Sequence, residues 1–133
     1  MERLTRRLLV VEDDPEMREL LRKVLEKDGF RVSVAQDGRE AWALLGTAGC
    51  EAFDAVVTDM LMPRDGGLEL LALIHGARPS LPVIIVTAFG DWESYSRALE
   101  LGAAGFISKP LRMAELRSAV HAALAGGAAP AAS

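Results

Sequence analysis

Four short stretches of this 133-residue chain carry side chains able to do chemistry: Glu12-Asp13-Asp14, Asp59, Thr87 and Lys109-Pro110. Each follows a short apolar run. Carboxylates gathered out of water repel one another, so a group of them is stable only beside a cation, and an all-oxygen donor set favours a hard divalent ion, Mg2+ first. A metal-bound carboxylate next to a lysine ammonium is also suited to accept a phosphoryl group. The carboxylate attacks phosphorus while the two cations spread the developing charge. Lys109 supplies the ammonium, and Thr87 a hydroxyl for a phosphoryl oxygen.

These side chains work together only if the fold brings them to one place, and the chain alternates two periods that do so. Arg7 to Val11 reads as a strand. Asp14 then stands as an N-cap with Pro15 at the first helical position. Met17, Leu20, Leu21, Val24 and Leu25 form an apolar stripe, and Gly29 closes the helix as a left-handed residue. The pattern repeats: Arg31 to Ala35 strand, Asp37 to Leu45 helix, Asp54 to Thr58 strand, Leu68 to His75 helix, Pro82 to Thr87 strand. Asp91 to Leu101 is helical with Gly102 ending it, Gly105 to Ser108 is a strand, and Leu111 to Leu124 is the last helix.

Strands as apolar as Ala55-Val56-Val57 and Val83-Ile84-Ile85-Val86, separated by helices, imply a parallel sheet covered on both faces. The expectation is an α/β, doubly wound three-layer sandwich with five strands and five helices. In such sheets the working site lies beyond the carboxyl ends of the strands. Those ends are Glu12-Asp13-Asp14, Asp59, Thr87 and Lys109-Pro110.

Composition narrows the function further. At 50% hydrophobic and 26% charged residues the chain has the balance of one globular domain, expected over residues 1–125, with an Ala/Gly/Pro tail or linker start over 126–133. A net charge of −4 argues against direct nucleic-acid binding, and no apolar run is long enough for a membrane span. Cys50, the sole cysteine, excludes an internal disulfide and points to a reducing, cytoplasmic setting.

In this order and spacing, Leu9-Val10-Val11-Glu12-Asp13-Asp14, Thr58-Asp59-Met60-Leu61-Met62-Pro63, Val86-Thr87-Ala88 and Gly102-Ala103-Ala104-Gly105-Phe106-Ile107-Ser108-Lys109-Pro110 closely resemble the receiver domain of bacterial response regulators. The resemblance spans residues 7 to 125. It implies a flavodoxin-like fold with strand order 2-1-3-4-5 and a signalling switch that catalyses only its own phosphorylation and dephosphorylation. It makes Asp59 the phosphoacceptor, Asp13 a direct Mg2+ ligand, Glu12 a ligand through water and Leu61 a backbone-carbonyl ligand. Thr87 then senses the phosphoryl group, Phe106 is the switching aromatic, Lys109 contacts the phosphoryl group and the Lys109–Pro110 bond is cis. The implied partners are a histidine kinase or phosphotransfer protein and an output domain or protein docking on the face of helix 4, strand 5 and helix 5. The implied state is a monomer or a phosphorylation-dependent dimer.

Three features depart from the family pattern. Arg64-Asp65-Gly66-Gly67 places an acid one position early, Glu12 stands where Asp is commoner, and Phe106 lacks the hydroxyl of the frequent Tyr. Two rivals come from other classes. A haloacid-dehalogenase-type phosphatase needs a second acid two residues after its nucleophile, where this chain has Leu61, and a flavodoxin-like cofactor binder would meet repulsion from Glu12-Asp13-Asp14. His75 and His121 lack partners at metal spacing and read as packing or surface residues. Met17, Trp42 and Met113 read as helix faces turned inward, while Trp92 and Tyr95 are open between packing and a partner-facing patch. Apolar Leu61 and Phe89, two residues after Asp59 and Thr87, are expected to shield the acceptor from water.

Overall fold

The computed structural model describes residues 5–48, 52–60, 66–87 and 92–126. The elements are β1 (Arg7–Val11), α1 (Pro15–Lys27), β2 (Arg31–Ala35), α2 (Gly38–Ala48), β3 (Ala55–Asp59), α3 (Gly67–Ala77), β4 (Val83–Thr87), α4 (Trp92–Glu100), β5 (Gly105–Ser108) and α5 (Met113–Leu124). Strand pairing is parallel throughout, in the order β2-β1-β3-β4-β5. The doubly wound parallel sheet is the one expected from the alternation of periods, and its strand order is the one that the family resemblance implies.

The period of two along each strand divides the core into two layers. Leu9, Val11, Val56, Val83 and Ile85 pack on the face covered by Leu45, Leu70, Leu71, Ile74 and Ala98 from α2, α3 and α4. Leu8, Val10, Ala55, Val57, Ile84, Val86 and Ile107 face Leu21, Leu25, Leu116 and Val120 from α1 and α5. Trp42 joins the first cluster, and Met17 and Met113 the second, as partly buried members.

Local sequence accounts for the element ends. Asp14 is the N-cap of α1, accepting a hydrogen bond from the Glu16 N–H at 3.1 Å ahead of Pro15. Asp37 caps α2 through the Glu40 N–H at 2.8 Å instead of opening the helix as a helical residue. Gly29 and Gly102 take φ values of 98° and 89°, left-handed conformations that glycine adopts without steric cost. The third strand runs one residue further than its apolar run, so Asp59 is its last residue. The last helix starts at Met113 and not Leu111, because Arg112 is its extended N-cap residue.

One member of the predicted α1 stripe faces outward. Leu20 is 44% exposed. At 100° per residue it lies a full step from Leu21, whereas Met17, Val24 and Leu25 lie closer to the inward direction. Cys50, Leu61, Phe89 and the 127–133 part of the expected tail fall outside the described residues.

Candidate functional site

The same period of two that sorts the core also delivers the site. Glu12 continues the series Leu8, Val10; Asp59 continues Ala55, Val57; and Lys109 follows Ile107 by two residues. All three extend the α1/α5 face of the sheet past its carboxyl edge. Glu12 and Asp59 are almost completely buried, at 2% and 6% exposure, whereas Asp13 is exposed. One carboxylate oxygen from each of Glu12, Asp13 and Asp59 lies within 4.8 Å of the others.

Lysine holds the buried acids together. Lys109 Nζ donates to Asp59 Oδ2 at 3.1 Å and to Glu12 Oε1 at 3.2 Å. Its position comes from the strand end, where the Lys109 N–H donates to the Thr87 carbonyl and the Lys109–Pro110 bond is cis. Burial pushes the Glu12 carboxyl up to about 7, and the neighbouring Asp59 charge adds to the rise; the Asp14 N–H at 3.3 Å and Lys109 oppose it. For Lys109, burial disfavours the charge, but the hydrogen bond and charge of Asp59 and then those of Glu12 outweigh it, and its pKa is raised.

The backbone around this cluster is tightly tied. The Glu12 N–H donates to the Ala35 carbonyl at 3.0 Å, while Arg18 Nη1 donates to the Glu12 carbonyl at 3.0 Å. Beyond β3, the Met60 N–H donates to the Val86 carbonyl and the Gly67 N–H to the Met60 carbonyl, each at 3.0 Å. The start of α3 therefore rests on the Asp59–Met60 backbone. A Cβ at Gly67 would overlap the Asp59 carbonyl oxygen and come within 2.9 Å of Met60 Cα. Glycine is required there by close approach.

Thr87 and Phe106 lie on the other parity of the sheet. Thr87 follows Val83 and Ile85, is completely buried and pairs with Ser108, while Phe106 pairs with Ile85 and packs against the α2/α3/α4 core. The Tyr95 ring on α4 meets Phe106 edge-on, with centroids 5.4 Å apart and planes at 87°. Tyr95 thus belongs to packing between α4 and β5.

The structure brings Glu12, Asp13, Asp59 and Lys109 together and sets Thr87 at the adjoining strand end. Leu61, expected to add a carbonyl, lies outside the described residues. His75 and His121 stand apart from this cluster: His75 packs over Gly102, and His121 Nε2 lies 2.9 Å from Asp28 Oδ2 with its ring tilted against Phe30. Two contacts escaped the sequence reading, Arg18 to Glu12 and Tyr95 to Phe106. The position of Arg18 one turn into α1 hinted at the first; only tertiary packing shows the second.

A hard cation fits this donor set. All three acids offer oxygen only, two are buried, and the exposed one leaves an open side for water. Five parallel strands with an acidic cluster at their carboxyl edge place these side chains where doubly wound folds hold their ligands. Residues 8–121 match the response regulator receiver domain family, and the chain belongs to that family. It is 38% identical over 118 residues to response regulator MprA of Mycolicibacterium vanbaalenii, covering 89% of this chain and 50% of that protein. The chain thus spans half that relative's length.

Solved structures agree. A response regulator receiver domain protein from Clostridium thermocellum superposes with a TM-score of 0.86 at 30% identity, covering 91% of this chain and 95% of that one. TrrA of Thermotoga maritima, solved in complex with Mg2+-BeF, gives a TM-score of 0.80 at 28% identity, with 90% and 99% covered. These relationships support the receiver family and give no support to the phosphatase alternative. Among the described residues no helix is long and apolar enough to cross a membrane.

Proposed function

We propose that Asp59 accepts a phosphoryl group from the phosphohistidine of a histidine kinase or phosphotransfer protein, with Mg2+ held by Asp13, Asp59 and the Leu61 carbonyl directly and by Glu12 through water. An Asp59 carboxylate oxygen forms the new bond to phosphorus as the bond to the imidazole nitrogen breaks, and the imidazole leaves with the electron pair. A cation held there would supply positive charge against the transferring group. Lys109 exchanges its contact with the Asp59 carboxylate for a phosphoryl oxygen, and the Thr87 hydroxyl takes another. The observation carrying this reading is the burial of Asp59 between two further acids and Lys109 Nζ at 3.1 Å.

Thr87 and Phe106 lie on one face of the sheet, and the Phe106 ring meets Tyr95 of α4. Recruitment of the Thr87 hydroxyl by the phosphoryl group then alters packing against α4, and the α4, β5 and α5 surface passes the change to an output domain, a partner protein or a second copy. The protein works in the cytoplasm as a switch, with turnover confined to its own phosphoryl group. Incubation with acetyl phosphate and Mg2+ should add one phosphoryl group by intact mass. Its persistence in Asp59→Asn overturns the assignment.

A further inference from the structure

We infer that Arg18 is a positioning residue for the cation site, acting through the backbone of Glu12. The inference rests on the reading above that Asp13 ligates Mg2+ directly. Asp13 is exposed, and among the described residues its side chain makes no hydrogen bond or ion pair. The origin of that side chain, its Cα–Cβ bond, is placed by the backbone on either side.

Both sides are fixed. After Asp13, the Asp14 side chain accepts from the Glu16 N–H at 3.1 Å and the Asp14 carbonyl from the Arg18 N–H at 2.8 Å, so that residue is locked into the start of α1. Before it, Glu12 is tied to β2 by its N–H and to Arg18 Nη1 by its carbonyl, each at 3.0 Å. The Glu12 carbonyl belongs to the planar peptide that joins Glu12 to Asp13, so holding its oxygen also holds the Asp13 nitrogen and the origin of the Asp13 side chain. Arg18 is half-buried over this peptide, and the rigid fork of a guanidinium suits such a fixed contact. Arg22, one turn further on, is instead paired with Glu19 and Glu26 on the helix surface.

Charge and positioning pull in opposite directions here. A guanidinium near a cation site repels the cation, so an Arg18 that acted only through its charge would weaken Mg2+ binding, and its removal would tighten it. A positioning Arg18 gives the reverse. Groups that orient metal ligands typically alter affinity by 10–100-fold, and Arg18 acts one bond further out, so about a tenfold loss is expected in Arg18→Met.

The test is calorimetric titration of the full chain with MgCl2, alongside melting in EDTA. Arg18→Met should bind Mg2+ about tenfold more weakly while melting close to the parent in EDTA, and NMR relaxation should show reduced order at the Asp13 amide. Arg18→Lys, keeping a donor and the charge, should fall between them and serves as the second variant if Arg18→Met folds poorly. Arg22→Met should match the parent. Unchanged or tighter binding in Arg18→Met, with binding lost in Asp13→Asn, overturns the positioning role alone. Parent-like binding in Asp13→Asn overturns the cation assignment beneath it.

Discussion

Lys109 Nζ stands between two buried carboxylates, 3.1 Å from Asp59 Oδ2 and 3.2 Å from Glu12 Oε1, and so serves as their shared counter-ion. Without it the two buried acids would lose the positive charge set between them. Lys109→Met keeps the length of the stem and removes the charge. Breaking a buried ion pair commonly costs about 3–5 kcal/mol, and partial solvent access to Lys109 lowers the expectation to roughly 1–3 kcal/mol. Denaturant unfolding in EDTA should show that loss and Mg2+ should recover part of it, while phosphorylation by acetyl phosphate slows at least about tenfold. Unchanged stability in EDTA means that the cluster does not depend on lysine.

Glu12 makes the site sensitive to pH. Its carboxyl, ordinarily near 4.5, is raised to about 7 by burial and by Asp59, so the folded protein keeps a proton that the unfolded chain releases between those values. That contribution to stability is fully present below about pH 4.5 and is lost as pH rises through 7. A cation held through water is favoured by the charged form, so apparent Mg2+ affinity should fall below pH 7, by less than the tenfold per pH unit of an obligatory direct ligand. Titrations at pH 6, 7 and 8 on the parent and Glu12→Gln decide the matter. The difference between the two proteins should depend on pH, and a constant difference rules Glu12 out as the titrating group.

Two glycines of one helix should respond oppositely to alanine. A Cβ at Gly67 meets the backbone of Asp59 and Met60, which cannot swing aside, whereas a Cβ at Gly76 meets nothing within 4 Å. Gly67→Ala should destabilise by about 1–3 kcal/mol through overpacking and slow phosphorylation by displacing Asp59. Gly76→Ala should stabilise by roughly 0.5–1 kcal/mol through helix propensity and a less flexible unfolded chain. Denaturant midpoints measure both, and a harmless Gly67→Ala would show that α3 does not brace the acceptor.

The parallel sheet and its acidic edge were legible because short-range signals agree with the topology. Solid apolar strands, Asp14-Pro15 at a helix start and glycines at 29 and 102 punctuate the chain where the structure does. Glu12, Asp59 and Lys109 share a face because each continues its strand's alternation. Leu20 misled because a stripe read at spacings of three and four is wider than the strip of α1 that touches the sheet. The Arg18 contact with a carbonyl and the edge-on meeting of Tyr95 with Phe106 leave no periodic trace. They depend on how separate elements settle against one another.

The lifetime of the phosphoryl group should be long. Hydrolysis needs a water aligned with the breaking bond, and we propose from their sequence positions that the residues two after Asp59 and two after Thr87 flank that approach. They are Leu61 and Phe89, neither of which has a group to hydrogen-bond and orient water. Loss of such positioning commonly costs one to two orders of magnitude in rate. Replacing both with polar residues, Leu61→Asn and Phe89→Glu, should therefore shorten the lifetime by about tenfold or more, followed by intact mass after removal of acetyl phosphate. The substitutions leave Glu12, Asp13, Thr87 and Lys109 in place, so the initial extent of phosphorylation serves as the control for an intact site. A double variant that decays no faster than the parent, or a parent that already loses its phosphoryl group within seconds, removes apolar shielding as the determinant of lifetime.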